Sequence, residues 1–168
     1  MERKLREKLP GGRFTEVKPQ HSQIMKGVRG KGNRTTEARF RAALVSSGVR
    51  GWRTNVREIK GSPDFYFPEE RLAVFIDGCF WHGCNTCGHI PKKNRSFWEA
   101  KIDRNRERHM ETAKALRRQG VSVLRFWEHE VADSLTICIS KTRQRLARSR
   151  SHLRRSDGEQ RRRNEDTQ

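Results

Sequence analysis

Three cysteines fall within nine residues in the stretch DGCFWHGCNTCGH, positions 77–89. Their C-x4-C-x2-C spacing, over Cys79, Cys84 and Cys87, constrains the fold more than any other feature of the chain. Two thiolates three residues apart can enter one tetrahedral zinc site with Zn–S bonds of about 2.3 Å. A third thiolate in the same loop leaves one ligand to find. His89 is near in sequence, but His129 is the better candidate. The cluster follows the apolar run LAVFI (72–76), and His129 follows VSVLRFW (121–127). If these runs are neighbouring parallel strands, their C-terminal ends meet and a Cys3His site staples them. The alternative is a set of unconnected reduced thiols. The stretch MERKLREKLPGG lacks the apolar segment of a secretory signal, and no run approaches the roughly 20 apolar residues of a membrane span. A cytoplasmic, nucleoid-associated protein is expected, with reduced thiols, which disfavours a disulfide knot. Cys138, among Leu135, Ile137 and Ile139, reads as a core thiol.

The charge is unevenly placed. The 168 residues carry +18, of which residues 1–34 hold +7, residues 141–168 hold +6 and residues 35–140 only +5. The expected organisation is a flexible basic arm over 1–20, one α/β domain over 21–140, and a basic, irregular tail over 141–168. A tract such as RQRLARSRSHLRR (143–155) buries too little apolar surface to fold alone. Its natural partner is a polyanion, because each cation that neutralises a phosphate releases counterions. Within the arm region, Ile24, Met25 and Val28 stand at helical spacing and point to a short docked helix.

The periodicities give an order of elements. A helix is expected from Thr35 or Thr36 to about Ser47, with Thr36 as N-cap, Glu37 in the first turn and Gly48 as its stop. Strands are expected at WRTNV (52–56), DFYF (64–67) and LAVFI (72–76), the last buried on both faces. Ser96 and Glu99 fit a capping box for the longest helix, with Trp98, Ile102, Met110, Ala113 and Leu116 inward and Gly120 as its end. A strand at 121–127 and a helix running from about 130 into the basic tail complete α-β-β-β-α-β-α, a mixed sheet flanked by helices. Trp52 and Trp127 read as core.

Asp64 opens one strand and Asp77 closes the next, so antiparallel pairing brings both carboxylates to one edge. Paired acids in a protein rich in phosphate-seeking charge point to a Mg2+ site, against two ordinary Asp-containing turns. His82 lies in the cysteine loop without being needed for zinc, which makes it a candidate for proton transfer.

The blocks GSPDFYF, AVFIDGCFWHGC, RSFWEAKIDRNRERH and VSVLRFWEHEV, in this order, resemble the Vsr family of very short patch repair DNA mismatch endonucleases over roughly residues 21–131. The resemblance implies a restriction-endonuclease-like PD-(D/E)XK variant. It implies a nick on the 5′ side of the T in a T·G mismatch left by 5-methylcytosine deamination. It also implies hand-over to downstream mismatch-repair proteins. It assigns the catalytic Mg2+ to Asp64 and the Ile76 backbone carbonyl, water activation to His82, and a supporting role to Glu37. The zinc positions match Cys79, Cys84, Cys87 and His129. The best-known member has Thr-His where this chain has Ile76-Asp77, so Asp77 either binds the metal or orients His82. That member also has a cysteine where this chain has His129, and zinc accepts both.

The family wedges aromatic rings beside the mismatch, and the matching positions are Phe80, Trp81 and Trp98, for which core packing is the competing explanation. An inserted ring costs a few kcal/mol of unstacking, less at a mismatch. Lys101, Arg104, Arg106 and Arg108 are placed to track phosphates, with Asn105 as a further polar contact. A monomer acting on double-stranded DNA is expected, since one nick needs one active site. The competing functions are a restriction-like or homing-type nuclease on matched DNA, and a non-catalytic zinc-containing nucleic-acid-binding module.

Overall fold

The computed structural model describes residues 2–9, 11 and 34–165. The elements are α1 (Glu2–Arg6), α2 (Arg34–Ser46), β1 (Arg53–Thr54), β2 (Phe65–Phe67), β3 (Leu72–Asp77), α3 (Arg95–Arg118), β4 (Ser122–Trp127), α4 (Glu128–Asp133) and α5 (Leu135–Glu165). The sheet order is β1-β2-β3-β4, antiparallel up to β3 and parallel between β3 and β4. This is the mixed α/β sheet expected, with α3 as the crossover between the parallel pair.

β3 is covered on both faces, which is why its sequence is a continuous apolar run. Leu72 and Val74 join Phe40, Leu44, Phe65, Phe67, Phe126, Val131, Cys138 and Leu146 in the larger core. The alternate residues Ala73 and Phe75 pack with Leu116 and Val121 on the other side, against α3. Phe40 holds α2 on the sheet, its ring 5.1 Å from Phe65 and 5.7 Å from Phe126. Trp52 packs edge-on to Phe65, as the core reading requires.

Several local expectations are corrected. Helix α2 begins at Arg34, so Thr36 lies buried inside the first turn rather than capping it. Gly48 does end it, at φ +70° with the Val49 amide donating to the Leu44 carbonyl. The first strand shrinks to Arg53–Thr54, because Asn55 turns left-handed at φ 51°. The Ser96–Glu99 capping box does not form. Asn94 is the N-cap, and Arg95 takes the Glu99 carboxylate at 2.8 Å. Met110 is 66 % exposed, and the inner face of α3 runs instead through Trp98, Ile102, Asn105, His109, Thr112 and Leu116.

The stretch from residue 141, expected to be irregular, is helical within α5. Cys138, Thr142 and Leu146 recur every four residues and are all buried, so that stripe docks the helix. Arg150 extends it by pairing with the buried Glu70 carboxylate, its Nε 2.6 Å from Oε1. The proposed short helix at Ile24, Met25 and Val28 lies outside the described residues. No described helix is long and apolar enough to cross a membrane.

Candidate active site and metal centre

The parallel pair β3/β4 puts Asp77 opposite Trp127, so the cysteine loop and His129 leave the sheet side by side. Cys79, Cys84 and Cys87 Sγ lie 3.3, 3.6 and 3.4 Å from His129 Nδ1, and the Cys84 and Cys87 sulfurs are 3.7 Å apart. Tetrahedral zinc with ordinary bond lengths needs about 3.6 Å between nitrogen and sulfur and about 3.8 Å between sulfurs. The donors already have that spacing. The loop is built for it: the Gly88 amide donates to the Cys84 carbonyl at 2.8 Å, and a Cβ at Gly88 would stand 2.2 Å from that oxygen. Hydrogen bonding to Cys79, then burial and the Cys84 sulfur, push the Cys87 thiol up to about 12. A cation among these sulfurs would favour their thiolate forms. His89 is exposed and stands outside the donor group.

The other edge of β3 carries Asp64. Its buried carboxylate accepts the Ile76 amide, Oδ2 to N 2.7 Å. The β2/β3 register, continued by two residues, sets Ile76 opposite Pro63, which has no N–H to give. Amide and carbonyl of one strand residue point to the same side. The Ile76 carbonyl thus faces the Asp64 side with no ladder donor from Pro63, and these two oxygen-bearing groups suit a hard cation. Glu37 sits on α2 one turn before Phe40, whose ring touches Phe65, the residue after Asp64.

Asp77, expected to meet the Asp64 carboxylate at one edge, points instead to the α3 face, where Arg125 and His109, which local sequence did not single out, engage it. Its two oxygens accept Arg125 Nε at 2.6 Å and Nη2 at 2.5 Å. The same Nη2 donates to His109 Nδ1 at 2.9 Å, and the His109 ring stacks on His82 with centroids 3.9 Å apart at 31°. The Arg125 guanidinium also lies over the Phe75 ring. Asp77, His82 and His109 form a second group with metal-ligand chemistry. However, the guanidinium already occupies Asp77 and the His109 lone pair, so the arrangement is an ion-paired network, not an open cation site.

Burial first, and Arg125 next, hold His109 down at about 4; burial lowers His82 as well. An unfolded histidine near 6.5 binds a proton that folded His109 refuses, so stability is present above pH 6.5 and is lost as pH falls from 6.5 towards 4. The expected loss is about 2 kcal/mol over that window. Urea midpoints of wild type and His109→Phe at pH 7 and pH 5 check it: the gap between the two proteins should shift in favour of the variant at pH 5.

Phe80, Trp81 and Trp98 form one half-buried aromatic cluster, with centroids 5.1 to 6.3 Å apart. Its loop is clamped from α3. The Asn105 side-chain amide donates to the Trp81 carbonyl at 2.8 Å, and Arg106 donates to the His82 and Gly83 carbonyls at 3.1 and 2.6 Å. Asn105 and Arg106, expected to face DNA, thus hold the loop. Lys101 lies over the Phe97 ring, and Arg104 is exposed beside Glu107.

The chain was compared with known proteins. The family model described as DNA mismatch endonuclease Vsr matches residues 15–88. The type II nicking enzyme V.NmeDIP of Neisseria meningitidis serogroup C is 40 % identical over 127 residues, covering 74 % of this chain and 84 % of the relative. The type II nicking enzyme V.NaeI of Lentzea aerocolonigenes is 39 % identical over 113 residues, 65 % of this chain and 68 % of the relative. The DNA mismatch endonuclease Vsr of Escherichia coli K12 is 33 % identical over 106 residues, 61 % of this chain and 67 % of the relative.

Proposed function

Because this chain belongs to the Vsr family of DNA mismatch endonucleases, and is therefore an enzyme that cuts DNA, we propose that it nicks one strand of a duplex 5′ of the T in a T·G mismatch. The observation that carries the reading is a juxtaposition at the C-terminal end of β3: Phe80 and Trp81, packed against Trp98 of α3, immediately precede His82 on the loop, and Ile76 of the same strand donates its amide to the Asp64 carboxylate. A duplex lying on α3 would meet rings able to enter a weak step and reactive groups next to that step. Unstacking is cheaper at a mismatch than at a paired step, so the wedge itself selects substrate.

In this reading Asp64 and the Ile76 carbonyl hold a Mg2+ ion, which when bound polarises the phosphodiester and lowers the pKa of attacking water. His82 would accept a proton from attacking water at a ring nitrogen, Glu37 would support the site from α2, and Asp77 anchors Arg125. Lys101 and Arg104 meet phosphates along α3. Zinc in the Cys79, Cys84, Cys87 and His129 site is structural. The enzyme acts as a monomer, and its nick is the entry point for downstream repair proteins that restore the C·G pair.

The test is a nicking assay with Mg2+, a duplex carrying one T·G mismatch, a matched control, and label on each strand in turn. One Mg2+-dependent nick 5′ of the mismatched T, absent from the control, is expected. Equal cutting of both duplexes would replace this reading with a nuclease of matched DNA. Binding without cutting in every sequence context would leave a DNA-binding module.

A further inference from the structure

We propose that His109, on α3, is the positioning residue that sets the His82 ring for proton transfer, itself held in place by the Asp77–Arg125 pair. This deepens the function proposed above and rests on its reading of His82 as the proton-handling group.

A proton-transferring imidazole needs a fixed plane, usually set by a hydrogen bond to the ring nitrogen that does not react. His82 lacks that support: its Nδ1 is buried and has no hydrogen-bond partner among the described residues. The backbone around it is fixed, since Arg106 binds the His82 carbonyl and the His82 amide donates to the Gly78 carbonyl. Backbone anchoring leaves the side-chain torsions open. What faces the ring is the His109 imidazole, 3.9 Å away and 31° from parallel.

His109 is in turn locked. Arg125 Nη2 donates into its Nδ1, so that nitrogen carries a lone pair and the proton of neutral His109 sits on Nε2. Arg125 cannot swing away, because the same guanidinium bridges both Asp77 oxygens and lies 4.5 Å from the Phe75 ring centroid. Asp77, Arg125 and His109 come from β3, β4 and α3, so the support is anchored in three elements. The acid that stands at position 77 therefore holds the His109 ring through the Arg125 guanidinium, and its own carboxylate lies within 4.8 Å of a His82 ring nitrogen.

The experiment compares wild type with His109→Phe, which keeps a flat ring, His109→Gln, which keeps a polar group without the ring, and His109→Ala. Single-turnover nicking is measured on the T·G duplex, and Kd for the same duplex is measured without divalent metal. Loss of the ring should slow His109→Ala and His109→Gln by roughly 10–100-fold with Kd within about twofold, while His109→Phe stays within about threefold of wild type. Nicking by His109→Ala at the wild-type rate would overturn the proposal. Should His109→Ala fail to fold, a His109→Gln rate matching or exceeding that of His109→Phe does the same.

A second readout does not depend on activity. Long-range 1H–15N correlation spectra should show wild-type His109 with its proton on Nε2. The His82 ring protons should be shielded in wild type and His109→Phe and lose that shielding in His109→Gln. Unchanged His82 signals across the set would overturn the stacking role. A wild type that cuts no duplex would refute the proposed nuclease specificity, while these spectra would still decide whether His109 orients His82.

Discussion

Asp64→Asn is expected to reduce single-turnover nicking by about 10³-fold or more, the size of several kcal/mol of lost metal-assisted charge stabilisation. Binding of the T·G duplex, measured without divalent metal, should stay within a few-fold of wild type. The choice of Asn over Ala follows from the second task of Asp64. Its Oδ2 accepts the Ile76 amide, and an Asn side-chain oxygen can keep that bond while losing the charge. Asp64→Ala leaves a buried amide without its acceptor and should cost a further ~1–3 kcal/mol of stability. A pair of variants equal in stability but both inactive would separate the electrostatic task from the structural one in the opposite sense to that expected. An Asp64→Asn protein that nicks at the wild-type rate would remove Asp64 from the chemistry.

The second large effect concerns zinc. Purified protein should contain one zinc per chain by elemental analysis, and Cys84→Ser or His129→Ala should lose it. Three donors come from the loop after β3 and the fourth from the first turn of α4, so removing the ion unties the ends of β3 and β4. Losing a buried bridging interaction of about 3–5 kcal/mol lowers Tm by about 10 °C in a chain of this size. His129→Cys should retain both metal and stability, because thiolate and imidazole are equally good tetrahedral zinc donors. Zinc-free protein with an unchanged melting curve after chelation would show that the four side chains meet for some other reason.

The strand order, the doubly covered β3 and the gathering of Cys79, Cys84, Cys87 and His129 were legible because each follows from a local pattern plus one topological rule. The expected meeting of Asp64 with Asp77 does not occur, because Asp64 takes the Ile76 amide while Asp77 is drawn to Arg125 and His109 on the α3 face. The support of His82 was not legible. The inner face of α3 is a stripe that includes Asn105, His109 and Thr112, all polar, so hydrophobic periodicity selected Met110, one residue off the true face. Arg125 sits mid-strand, where a charge normally faces solvent. Its carboxylate partner is 48 residues away, and no spacing rule reaches that far. The capping box failed for a related reason. Arg95 takes the Glu99 carboxylate that the capping box would need. Helix α5 runs into the basic tail, as expected of the last helix, and the buried recurrence of Cys138, Thr142 and Leu146 docks it where the tail's charge alone pointed to disorder.

The loop that carries Phe80 and Trp81 has no strand or helix of its own, yet its three sulfurs gather at His129 and its carbonyls are held by Asn105 and Arg106. Ordering a free loop costs about 1–2 kcal/mol per residue in conformational entropy. Here that cost is met when the chain folds, not when DNA arrives. A side chain that must prise apart stacked bases transmits force only if its mount is stiffer than the stack. If Phe80 and Trp81 wedge DNA as proposed, rigidity set in advance by the gathered cysteines and two side chains of a helix would let them act as a tool instead of relaxing around the nucleic acid they meet.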